Sequence, residues 1–194
     1  MKSPNNGPMM NPPGKSNFTA NIIALNQWHN CGFKGWLLQP GMGFAEPDKW
    51  WSDRGARPTR HEGLDLTAYQ DKANGEHPLT EGTIIPPLYG GQLINIIDDF
   101  LGRTVIIDHG IINRQNQNLH GFYAHLSPAA NLKSRAILNA TDSLGTIASG
   151  NHICPPHLHI STVWISRDFP VERLSWPDFN EQEGFQPCDP LIFL

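Results

Sequence analysis

The chain has 194 residues, a mass of 21.6 kDa and a formal charge of −4 from 18 acidic and 14 basic residues. One domain with extensions fits this length, and the acidic balance argues against binding nucleic acid through its phosphates. Charged residues make up only 16% while Gly (18) and Pro (17) abound, so helix bundles and coiled coils are disfavoured; no apolar run approaches the ~18 residues that span a bilayer.

Residues 1–20 are rich in Pro, Asn, Gly and Ser, lack the apolar stretch of a secretory signal, and are expected to form a flexible arm. Residues 21–54 form a Trp-rich extension, expected to be irregular, with short strands at most, and packed on the domain by its aromatic rings. From residue 55 to 194 the pattern becomes short apolar runs between turn signals. Expected strands are Gly63–Leu66, Thr83–Pro86, Gly91–Asp98, Arg103–Asp108, Gly121–His125, Gly145–Ser149 and His157–Ile165. Short helical turns are expected at Asn131–Leu138 and Asp142–Leu144. The fold class is therefore mostly β. Three cysteines, Cys31, Cys154 and Cys188, cannot all pair within one chain, so they leave the redox compartment open.

Three histidine groups stand out among nine histidines. In Arg60-His61-Glu62-Gly63-Leu64-Asp65, strand alternation puts His61 and Asp65 on one side and Glu62 on the other. One imidazole and one carboxylate facing the same way suit a borderline cation such as zinc. In Cys154-Pro155-Pro156-His157-Leu158-His159-Ile160, the prolines exclude a helix, and the two histidines share one face of an extended segment. In Phe122-Tyr123-Ala124-His125-Leu126-Ser127, a histidine ends an apolar strand. Each group alone reads as an ordinary surface or packing feature.

Together, RHEGLD, FYAHLS and PPHLH, about 60 and then about 30 residues apart, resemble the lysostaphin (LytM-type) zinc metallopeptidases of bacterial cell walls. The stretches TIIPPLYGGQLINI, TVIIDHG, SLGTIASG and DPLIFL agree, and the resemblance spans roughly residues 55–194. It implies an antiparallel β-sheet folded into a narrow groove, one Zn2+ held by His61, Asp65 and His159, and catalytic roles for His125 and His157. It implies hydrolysis of peptide bonds in peptidoglycan cross-links or stem peptides, in the periplasm or outside the cell. Three protein ligands leave an open position on zinc, where water is activated and the scissile carbonyl polarised. The alternative within the same fold is a non-catalytic wall-binding or regulatory module.

The loop Ala148–Pro156 departs from the glycine- and hydroxyl-rich form usual in that family. No tyrosine lies between residues 44 and 60 to donate to an oxyanion, and Arg54, Arg57 or Arg60 are the candidate substitutes. Asp48 or Asp53 of the extension are candidates to reach the open metal position and hold the enzyme latent. A helical His-Glu-x-x zinc motif is disfavoured by Gly63. A second zinc site from His29/Cys31 and His152/Cys154 has no standard spacing. Neither oligomeric state nor the bond cleaved is legible.

Overall fold

The computed structural model describes residues 13–30, 32–181 and 184–194. The helix α1 (Phe18–Leu25) is followed by β1 (Phe33–Trp36), β2 (Leu64–Leu66), β3 (Ala68–Asp71), β4 (Glu76–Pro78), β5 (Ile84–Ile85) and β6 (Gly91–Asp98). Then come β7 (Arg103–Ile112), β8 (Gln117–Pro128), β9 (Ile137–Leu138), β10 (Gly145–Ile147), β11 (Leu158–Ser166), a short helix α2 (Asp178–Glu181) and β12 (Phe185–Cys188). All pairings given below are antiparallel.

Nine strands make the main sheet, whose spine runs β12-β11-β8-β7-β6-β9; β2 pairs with β11, and β10 with β5 and β8. A second sheet of three strands has the order β1-β3-β4. The long strands come from near-continuous apolar runs, which suit strands covered on both faces. Alternation divides them. Leu64, Leu66, Val105, Ile107, Tyr123, Leu158 and Ile160 bury into one core with Phe18 and Ile22 of α1. Ile106, Phe122, Val163 and Ile165 bury on the opposite face, under Leu174 and Phe179. Asp65 lies between Leu64 and Leu66, and His159 between Leu158 and Ile160, so both side chains point to this second face.

The seven expected strands are present, with β7 and β8 longer than expected. Four corrections arise. The expected arm over 1–20 is shorter: residues 1–12 lie outside the described residues, but Phe18 and Ile22, one helical turn apart, are fully buried. The Asn26 side chain also bonds the backbone of Ile84 in both directions at 2.8 Å, which fixes the end of α1 to β5. Second, α1 runs from Phe18 into the extension, where no helix was expected; β1 is the kind of short strand that was. Third, Asn131–Leu138 is no helix: Arg135 has φ +64, outside helical backbone, and the segment ends in β9. Fourth, Asp142–Leu144 forms only a bend before β10. No described helix is long and apolar enough to cross a membrane.

Candidate metal centre

Register builds the centre. On β11, His159 lies directly opposite Asp65 of β2 on one side and Ala124 of β8 on the other. Asp65 Oδ1 is 2.8 Å from His159 Nδ1. His61 precedes β2 and is placed by the extension rather than by the sheet. Its N–H donates to the Glu46 carbonyl at 3.0 Å, and its own carbonyl accepts from Ala45 at 2.8 Å. Its Nε2 lies 3.1 Å from His159 Nδ1 and 3.3 Å from Asp65 Oδ1. All three side chains are buried.

Their protonation suits a cation. His61 Nδ1 sits 2.8 Å from the Gly43 carbonyl, which can only accept, so a neutral His61 turns a bare Nε2 inward. His159 Nε2 is 2.7 Å from Ser161 Oγ, leaving Nδ1 at the centre. Burial holds the His159 pKa below its ordinary value against the pull of Asp65. Burial would raise the Asp65 carboxyl, but the hydrogen bonds with His159 and His61 outweigh it and hold it well below the usual carboxylate range. His61 Nε2, His159 Nδ1 and Asp65 Oδ1 lie within 3.3 Å of one another. Ligand atoms about 3.3 Å apart are what a tetrahedral ion with bonds of ~2.0–2.1 Å requires. His61, Asp65 and His159 could thus hold a metal ion, and they are the only such group among the described residues.

The second oxygen of Asp65 is fixed from the extension. Trp50 Nε1 donates to Oδ2 at 2.6 Å and Arg57 donates to it at 3.3 Å. Arg57 also donates to the carbonyls of Gly41 and Asp48.

His157 and His125 complete the cluster. His157 Nδ1 meets the Pro155 carbonyl at 2.9 Å, so its Nε2 faces inward, 3.7 Å from Asp65 Oδ1. Burial pushes its pKa down to about 4. His125 arrives by a different route. Strict alternation from Ala124, which faces His159, would send His125 to the other face. Instead Arg103 pairs with Leu126 but Val105 with Tyr123, so two steps of β7 match three of β8: a bulge. His125 has φ +65 within it, and its ring centroid lies 4.7 Å from that of His157 and 5.9 Å from that of His159.

Asp65, His125, His157 and His159 line a cavity of about 310 Å³ walled by Trp51, Phe100 and Trp176, with Arg57, Glu62 and Asp99. Glu62 was expected on the opposite face from His61. It lines the cavity because strand geometry begins only at Leu64. Of the three candidate arginines, Arg57 alone lines the cavity. Asp48 and Asp53 do not: Asp53 is exposed and paired with Lys49 at 2.7 Å. His109 is a packing residue, between the Gly90 carbonyl and the Tyr123 hydroxyl. Cys154 and Cys188 are free thiols, and Cys31, with the proposed second zinc site that needs it, lies outside the described residues. Sequence reasoning missed Trp50 and Asp99. Neither lies near a recognisable spacing, and only the tertiary contact marks them.

No protein-family model matches the chain, and no curated protein matches it. Solved structures do. Lysostaphin from Staphylococcus simulans, an antimicrobial peptidase, matches at 18% identity with a TM-score of 0.50, over 84% of this chain and 50% of that one. The catalytic domain of the same peptidase matches at 19% identity with a TM-score of 0.49, over 87% and 96%. The catalytic domain of the prophage-encoded protein EnpA from Enterococcus faecalis matches at 20% with a TM-score of 0.42, over 71% and 97%. At these identities the likeness is one of fold: the chain has the lysostaphin-type, mostly antiparallel β fold.

Proposed function

We propose that this chain is a zinc-dependent metalloendopeptidase that hydrolyses peptide bonds in peptidoglycan cross-links or stem peptides. One observation carries the reading: Asp65 and His159, which cluster with the buried His61, line the same cavity as His125 and His157. The fold shared with an antimicrobial peptidase supports it.

Zinc bound by His61, Asp65 and His159 would supply a Lewis acid and an acidified water. The protein's own groups supply the rest. His157, with Nδ1 committed to Pro155, presents an unprotonated Nε2 to the cavity at neutral pH and can take up a proton there. His125 lies beside it and presents its own Nε2. Either ring can accept a proton at Nε2 on the attacking side, and only the ring that has done so carries an Nε2–H with which to donate to the developing charge or the leaving amine. The aromatic walls Trp51, Phe100 and Trp176 exclude water and give a peptide apolar surface to lie on. Such a substrate places the working compartment in the periplasm or outside the cell.

The deciding experiment is digestion of purified peptidoglycan by zinc-loaded protein, with mass analysis of released fragments. Fragments carrying a new amino terminus are expected, released roughly 10²–10⁴-fold more slowly by His157→Ala. A protein that binds zinc and the wall polymer but releases nothing is the non-catalytic module instead.

A further inference from the structure

The hairpin between β6 and β7 carries an aspartate on which five donors converge. Asp99 Oδ1 accepts from the backbone N–H groups of Leu101 and Gly102, each at 2.9 Å, and from His125 Nδ1 at 3.0 Å. Asp99 Oδ2 accepts from the His125 backbone N–H at 2.9 Å and from Thr104 Oγ1 at 2.8 Å. Thr104 Oγ1 in turn accepts from Trp176 Nε1 at 3.1 Å. The Asp99 side chain is 4% exposed. Turn formation explains the bonds to Leu101 and Gly102. It does not explain a carboxylate that grips one residue of another strand by both backbone and ring.

We infer that Asp99 is a positioning residue for His125, fixing both its ring tautomer and the bulged backbone that aims it. Two bonds from Asp99 hold His125. His125 sits at φ +65, a region L-residues with a side chain seldom occupy, and this conformation turns its ring to the face of His157 and His159. The bond from its N–H to Oδ2 holds that backbone. The second bond sets the ring. Burial would raise the Asp99 carboxyl, yet the hydrogen bonds from His125 and Leu101 hold it well below the usual carboxylate range. Ionised, it can only accept, so the hydrogen of a neutral His125 sits on Nδ1 and the lone pair on Nε2. Phe100 adds an edge contact to the ring, with centroids 4.8 Å apart. A histidine held this way offers a proton acceptor to the cavity, where a free ring would divide between two tautomers and several orientations. What the ring does there rests on the peptidase reading; how it is held does not.

The test separates the two. In full-length, zinc-loaded, 15N-histidine-labelled protein, two-bond 1H–15N correlation reads the tautomer of His125, assigned by comparison with His125→Ala. The wild type is expected to show the Nδ1–H form, and Asp99→Asn a mixture of forms. Peptide release by Asp99→Asn is expected to fall about 10- to 100-fold in kcat, with KM and zinc stoichiometry unchanged. An Nε2–H ring in the wild type overturns the inference without any variant. So does an Asp99→Asn protein whose ring keeps the Nδ1–H form, or whose loss lies in KM alone. If Asp99→Asn does not fold, Thr104→Val removes one donor from the same carboxylate. It is then expected to lower kcat about 2- to 10-fold and to broaden the His125 ring signals; unchanged kcat and signals in that variant overturn the inference. A wild type with the Nδ1–H ring and no peptide release sinks the peptidase reading and leaves the Asp99–His125 relationship standing.

Discussion

Trp50 and Asp65 are joined by a hydrogen bond of 2.6 Å, indole N–H to Oδ2, although one belongs to the N-terminal extension and the other to β2. With Arg57 on the same oxygen, this bond leaves only Oδ1 turned towards His61 and His159. The extension therefore sets how the carboxylate of a proposed ligand is presented, as outer partners do in metal sites. Trp50→Phe keeps the apolar packing on Met42 and Cys154 and deletes the donor. Zinc affinity is expected to drop roughly 10- to 100-fold in a chelator competition. Wild-type affinity in this variant would falsify the role given to Trp50.

The five site residues divide into two classes by what they lose. His61→Ala and His159→Ala are expected to purify without stoichiometric zinc. His125→Ala and His157→Ala are expected to keep about one zinc and to lose roughly 10²–10⁴-fold in turnover. Metal analysis alongside peptide release measures both. If His157→Ala lost the metal and His159→Ala kept it, the assignment within the His-Leu-His pair would be reversed.

Gly63 lies where β2 crosses β11. A Cβ there would stand 2.6 Å from Ser161 Oγ and 2.7 Å from His159 Nε2, and closer still to the Ile160 carbonyl. It would strike the groups that orient a proposed ligand. Gly63→Ala is expected to cost about 1–3 kcal/mol of stability and to weaken zinc binding. Urea unfolding and zinc titration test this together, and a variant as stable as the wild type shows that the strands part without cost.

Removing the extension is expected to damage the site rather than release it. Asp65 N–H donates to the Met42 carbonyl at 2.9 Å, His61 N–H to Glu46, and His61 Nδ1 to Gly43. A chain starting near residue 54 lacks all these partners and Trp50. Low solubility and substoichiometric zinc are the expected outcome, measured against the full chain in the same release assay. A gain in activity would point instead to a latent enzyme with a blocking extension.

Much of this site is legible in the residues themselves. His61-x-x-x-Asp65 and His157-x-His159 show which side chains share a side, because short spacings along one extended segment limit where they can point; only the combination of the three histidine groups suggested ligands. The apolar runs of β6, β7, β8 and β11 announce strands because period-2 burial on two faces leaves few other solutions. His125 was identifiable by resemblance, but its direction was not. Alternation alone sends it to the wrong face, and only the bulge opposite β7, with φ +65 and the grip of Asp99, turns it inward. Trp50, Arg57 and Asp99 carry no local signal, because a hydrogen bond to a ligand or a catalytic ring depends on where the chain returns in space. Helix α1 was missed for a related reason: eight residues of FTANIIAL are too short to be helical on propensity, and burial of Phe18 and Ile22 against the sheet stabilises what the segment alone does not. Short-range spacing thus determined which residue types assemble here, while non-local packing decided how each is aimed.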